Sequence, residues 1–178
     1  MNRTFGRVAD DPPGGGRTLA PIPFRCRSLS AGVTLPGVAN VGKSAETKPG
    51  ISGIAPFFVV NDVPTSLTFY RDYLGFDVTF QGPEPDDIFF GIVERGGAMI
   101  MFKAVGVEPV PNYTRDVGKG IARWDAYLCV PDPDALAAEF SSRGVEFSEP
   151  LKDTGDGLRG FELRDADGYV LFFGRPCS

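Results

Sequence analysis

Val59-Val60-Asn61-Asp62-Val63-Pro64-Thr65-Ser66-Leu67-Thr68-Phe69-Tyr70 decides the fold, because the chain repeats its pattern at Val130-Pro131-Asp132-Pro133-Asp134-Ala135-Leu136-Ala137-Ala138-Glu139-Phe140. In each copy a strand ends, an aspartate caps, and a helix begins. Asp62 and Asp132 suit the N-cap, where a short carboxylate satisfies an orphan amide. Pro64 and Pro133 fall in the first helical turn, where no amide donor is missed. Val63, Leu67, Tyr70 and Leu74 then share one helical face, and Leu136 and Phe140 lie one turn apart. Gly75 and Gly144 mark the C-terminal stops. The two cap aspartates are 70 residues apart, a period that makes an internal repeat the organising feature.

The repeat extends beyond the helices. Short apolar runs at 76–80, 87–94 and 97–103 follow the first, and runs at 145–147, 158–164 and 169–174 follow the second. Arg95-Gly96-Gly97 and Ala166-Asp167-Gly168 mark hairpin turns before the last strand of each copy. A strand at about 54–60 precedes the first helix, and its mate at 124–130 precedes the second. In the first strand Ala55, Phe57 and Val59 alternate with Ile54, Phe58 and Val60, so both faces are expected to be covered. In its mate Asp125, Tyr127 and Cys129 share a face. Each half reads β-α-β-β-β, which predicts an α+β protein of two tandem modules at about 52–104 and 121–176. If Glu94 faces Gly97, Phe90 lies opposite Met101 and Ile92 opposite Met99.

These halves resemble the paired modules of the vicinal-oxygen-chelate superfamily, which includes glyoxalase I, extradiol dioxygenases and bleomycin resistance proteins. The resemblance covers about residues 52–176. Its most telling pieces are Asp62…Ser66-Leu67-Thr68-Phe69-Tyr70-Arg71-Asp72-Tyr73-Leu74-Gly75-Phe76 and Arg164-Asp165-Ala166-Asp167-Gly168-Tyr169. It implies a curved mixed sheet around a ligand pocket, bordered by a loop similar to 153–160. In the enzymes it implies a divalent metal held at positions that fall here on Ala55, Met101, Asp125 and Phe172. Met101 and Phe172 each stand four residues after a hairpin glycine.

The residues at those positions depart from the enzymes, which carry His, Glu or Gln there. The chain has no His at all. Only Asp125 offers a ligand oxygen, whereas methionine, phenylalanine and alanine cannot hold a hard divalent ion. A shift of one residue does not restore a ligand set. No metal and no cofactor are therefore expected. Without His there is no Ser-His or Cys-His pair, and Cys129 among apolar neighbours reads as an inert core thiol. Asp125 reads either as a buried acid or base, or as a strand-end carboxylate facing water or Arg123. The expected ligand lining is Phe57, Phe90, Met99, Met101, Asp125, Tyr127 and Phe172. Such a wall suits a flat aromatic or cationic organic ligand, though the same side chains also suit a filled core.

Composition narrows the class. The chain has 178 residues, 42% hydrophobic, with 15 Phe and a formal charge of −5. Residues 1–50 carry 7 Lys+Arg against 3 Asp+Glu, a balance of +4, and residues 51–178 carry 11 against 20, a balance of −9. The acidic part argues against nucleic acid as a partner, and no stretch is long and apolar enough to span a membrane. Three cysteines with no close spacing fit a cytoplasmic location.

Residues 1–50, rich in Gly, Pro, Ser and Arg, read as a disordered leader. Within it, Gly37-Val38-Ala39-Asn40-Val41-Gly42-Lys43-Ser44 matches the phosphate-loop pattern. It lacks the buried strand before and the sustained helix after that phosphate binding needs. The connection 104–119 reads as a loop whose Tyr113, Arg115 and Lys119 could overhang a pocket.

The reading that follows is a metal-independent small-molecule binding protein, similar to bleomycin resistance proteins and acting by sequestration. That group implies antibiotic resistance, a homodimer and clefts built by both subunits. The alternative is a lyase, isomerase or oxidoreductase of the same fold that recruits Glu94 or Glu162 or works without metal. A third is an inactive domain serving protein association.

Overall fold

The computed structural model describes residues 51, 53–112 and 124–177. The leader 1–50 with its phosphate-loop-like stretch, and Tyr113, Arg115, Lys119 and Arg123, lie outside the described residues. The element order is β1 (Phe57–Val59), α1 (Val63–Asp72), β2 (Asp77–Glu84), β3 (Asp87–Arg95), β4 (Ala98–Lys103), β5 (Ala126–Cys129), α2 (Pro133–Ser142), β6 (Phe147–Asp153), β7 (Leu158–Arg164) and β8 (Val170–Pro176). Both helices start as their caps dictate. Asp62 accepts the Thr65 amide at 2.8 Å and Asp132 accepts the Ala135 amide at 3.0 Å. The α+β class and the two βαβββ modules are as expected. Hydrogen bonding divides the strands into two four-stranded sheets, β1-β4-β3-β2 and β5-β8-β7-β6. The first strand of each module runs parallel to its last, and the other neighbours are antiparallel.

Each helix covers one face of its own sheet. Val63, Leu67, Tyr70 and Leu74 are buried on the α1 face, against Phe58, Val60, Val93, Ile100 and Phe102. The opposite face of the first sheet stays open among the described residues: Phe57 is 49% exposed and Phe80 45%. Among the described residues, the expectation that both faces of the first strand are covered is not met. Alternation of apolar residues shows that both faces avoid charge, not that each has something packed on it.

The modules exchange contacts reciprocally. α1 holds the turn between β7 and β8 of the other module. The Tyr70 hydroxyl donates to Asp165 Oδ2 at 2.9 Å, while Asp165 Oδ1 accepts the amides of Asp167 and Tyr169 at 3.0 and 2.9 Å. Asp167 in turn accepts from the Asn61 amide, the Asn61 side chain and the Ser66 hydroxyl. Tyr169 stacks on Phe58 with ring centroids 4.3 Å apart, and its hydroxyl reaches the Val59 carbonyl at 2.7 Å. α2 holds the turn between β3 and β4 in the same manner with different chemistry. Arg95 pairs with Glu139 at 2.7 Å, lies 5.6 Å over the Phe140 ring, and donates to the Leu74 carbonyl.

The cysteines correct the sequence reading. Cys129, expected to be an inert core thiol, is exposed and disulfide-bonded. The physical reason is its place at the end of β5, an edge strand of its sheet. Cys177 is a free, exposed thiol. The cysteine argument for a reducing compartment loses its support accordingly. Among the described residues no helix is long and apolar enough to cross a membrane.

Asp165 is only 7% exposed. Burial pushes its carboxyl up to about 6, with its three donors pulling the other way. A carboxyl with a raised folded-state pKa favours folding most in its protonated form. Its contribution is full below about pH 4 and is lost as pH rises through about 6. Urea unfolding should therefore show wild-type stability falling relative to Asp165→Asn across that window as pH rises. Tyr70→Phe leaves the buried carboxyl one donor short and should cost about 1–3 kcal/mol at neutral pH.

Candidate functional site

The open face of the first sheet is set by the turn Gly96-Gly97. Both glycines have positive φ, +56° and +86°, as a two-residue hairpin turn of this hand requires. Arg95 therefore pairs with Ala98, Glu94 with Met99, Ile92 with Met101 and Phe90 with Lys103. The expected pairs Phe90–Met101 and Ile92–Met99 are thus displaced by two residues, because the turn sits one residue further along each strand. A two-residue slip conserves the faces. Phe90, Ile92, Met99 and Met101 still share the side turned away from α1, and Phe57 lies beside Met101.

In the second module the corresponding side is filled. Trp124 stacks on Phe172 at 4.1 Å, Tyr127 lies 5.3 Å from the same ring, and the Trp124 indole donates to Glu162 at 2.7 Å. Phe172 is fully buried. Its ring lies across Gly160 and Gly174, at each of which a Cβ would come within 2.5 Å of it. Asp125 is neither a lone acid nor a water-facing strand end. Its two oxygens accept the amides of Asn112 and Val170 at 2.8 and 2.9 Å, tying the inter-module connection to β8.

The seven expected lining residues are thus not gathered in one place. Phe57 and Phe90 stack at 6.0 Å and line a groove of about 290 Å³ with Phe80, Pro83, Phe89 and Lys103. Met99 and Tyr127 line a larger cavity, about 700 Å³, between the β3–β4 turn, β5 and α2. Met101, Asp125 and Phe172 line neither, and neither does the 153–160 loop. Sequence reasoning missed Phe80 and Phe89 as groove walls and Phe76, Arg95 and Leu136 as cavity walls. The helical spacing of Leu136 was a signal for burial but not for a cavity beside it. Burial holds the Tyr127 phenol above its usual range.

A divalent metal does not fit the four positions that the resemblance assigns to it. Ala55 has no donor, Met101 offers only a thioether, and the Phe172 ring fills its own place. Asp125 already serves two backbone amides. Glu162, the other carboxylate on this side, accepts the Trp124 indole. Among the described residues no cluster of three or more His, Cys, Asp or Glu is suited to an ion.

Two substitutions test this geometry by thermal or urea unfolding. Asp125→Ala orphans two amides and should cost about 1–3 kcal/mol. Gly174→Ala forces the Phe172 ring to move and should cost a similar amount, about 1–3 kcal/mol. A neutral Asp125→Ala would contradict the tethering role.

The model of the Glyoxalase/Bleomycin resistance protein/Dioxygenase superfamily matches residues 51–173. No curated protein matches the sequence significantly. Among solved structures, the bleomycin-binding protein of Streptomyces verticillus, complexed with copper(II)-bleomycin, is 26% identical with a TM-score of 0.53, covering 74% of this chain and 99% of that one. TioX of Micromonospora sp. ML1 is 20% identical with a TM-score of 0.54, covering 69% of this chain and 97% of that one. A glyoxalase-related enzyme of Clostridium phytofermentans is 13% identical with a TM-score of 0.56, covering 74% and 99%. The last two likenesses concern the fold alone. With its two βαβββ modules and a family match across nearly all of the described residues, the chain belongs to the Glyoxalase/Bleomycin resistance protein/Dioxygenase superfamily.

Proposed function

We propose that the protein binds a small organic compound with aromatic character, sequesters it and leaves it chemically unchanged. The observation that carries this reading is the cavity of about 700 Å³ between the modules. Its volume is in the range that encloses a drug-sized molecule, and its walls are mostly apolar. Met99, Tyr127 and Leu136 supply dispersion and ring contacts, and Met99 adds an adaptable wall. The bleomycin-binding neighbour, at 26% identity, supports a binding role in a fold shared with enzymes. The four positions just described supply no metal-ligand set, which removes the chemistry that a metal-dependent reaction needs.

The expected cationic ligand loses its anchor, because Asp125 is committed to backbone amides and Glu139 is paired with Arg95. Aromatic character is therefore the better-supported half of that expectation. The proposal includes protection against a toxic compound by a homodimer in the cytoplasm. The open first-sheet face with Phe57 and Phe80 supports pairing with a second copy.

Native mass spectrometry of the chain purified from a producing or challenged host tests the reading. The expected result is a low-mass organic compound bound and recovered unaltered. Tyr127→Ala should weaken its rebinding by at least about tenfold, or ~1.4 kcal/mol. Recovery of a transformed product, or rebinding indifferent to Tyr127, would count against it.

A further inference from the structure

We propose that the cavity beside α2 is, among the described residues, the unfilled counterpart of the place that Tyr169 fills beside α1, and that it takes a neutral, multi-ring aromatic compound whose leading ring enters as the Tyr169 ring does. The inference rests on the binding role proposed above and names the ligand class. It starts from the repeat. The two helix-to-turn docking sites are reciprocal, so residues at matching repeat positions face matching surroundings. Tyr169 follows the hairpin glycine Gly168 directly, and Ala98 follows the hairpin glycine Gly97 directly. Phe58 and Leu128 each stand four residues before a cap aspartate.

Beside α1, the Tyr169 ring stacks on Phe58 at 4.3 Å with an interplanar angle of 11° and closes the space between the modules. Beside α2, the repeat presents Ala98 toward Leu128. Two rings are replaced by a methyl and an isobutyl group, and Ala98 and Leu128 both line the cavity of about 700 Å³. The pocket opens to solvent at a position that the repeat closes with an aromatic ring in the other module, which is the observation that points to a ring as its occupant. Tyr127, half-buried among its walls, suits a ring contact, with Phe76, Phe140 and Phe173 buried behind the wall. Of the charged residues lining it, Arg95 and Glu139 neutralise one another at 2.7 Å, and Asp132 is engaged as the α2 cap on the Ala135 amide. A neutral ligand leaves that pair intact, whereas a net charge would compete for it.

The test uses the full chain and the neutral fluorescent probe N-phenyl-1-naphthylamine. Wild type should take it up saturably at one site per chain. Ala98→Tyr, which places a phenol where the repeat has one, should weaken uptake at least about tenfold while keeping or raising the melting temperature. Leu136→Trp should do the same from the opposite wall, which covers the case in which Ala98→Tyr fails to fold. Uptake lost in Phe90→Ala but kept in both filling variants would move the aromatic site to the open groove. That result overturns this inference and leaves sequestration standing. Absence of saturable uptake overturns the assignment of this cavity, while a compound recovered with the chain would still support the binding role. Uptake that disappears as the chain self-associates would give the cavity to a second copy and overturn the inference as well.

Discussion

A buried carboxylate holds the two modules in register. Asp165 sits in the turn between β7 and β8, yet its outer oxygen takes the hydroxyl of Tyr70 from the other module's helix. Its inner oxygen takes two amides of its own turn, which shapes the turn that α1 must grip. An unpaired polar group at such depth is costly, so Asp165 helps to fix the turn and the helix relative to each other. Asp167, two residues on, extends the grip to the start of α1. The rest of the inter-module geometry follows from this placement, including where β5 and α2 lie against the β3–β4 turn.

The reciprocal contact is built from different chemistry, and the difference produces the cavity. Beside α1 the turn offers carboxylates and a tyrosine, and the space is filled. Beside α2 the turn offers Arg95, two glycines and Ala98, and the arginine spans to Glu139 and Phe140 without filling the interior. A duplicated module thus yields one closed and one open junction. The second sheet shows the same economy at Phe172, whose ring lies over Gly160 and Gly174 where the resemblance would place a metal ligand. One position that could have held chemistry is packed shut. A different position, at the junction, is left open.

Much of this was legible in the sequence. The caps at Asp62 and Asp132, the apolar face of α1 and the 70-residue period fix the modules, because each is a local pattern with a local cause. The chemical poverty of Ala55, Met101 and Phe172 was legible for the same reason. The hairpin register was not, since it turns on which two residues occupy the bend, and Gly96-Gly97 wins by taking positive φ twice. The role of Asp125 was hidden because its amide partners are Asn112 and Val170, brought near only by the tertiary fold. The same holds for Arg95, whose contact with Glu139 crosses between modules, and for the expected lining, of which two residues fall in each cavity and three in neither. Local pattern predicts which way a side chain faces, while the packing of whole modules decides what it faces.

The central claim is that binding in this chain does not run through a protein-held metal. The most direct measurement is elemental analysis of ligand-stripped protein after incubation with excess zinc, manganese and iron salts and removal of free ions. The account predicts metal content far below one ion per chain and no change in melting temperature. One tightly held ion per chain, lost on substitution of Asp125 or Glu162, would contradict it.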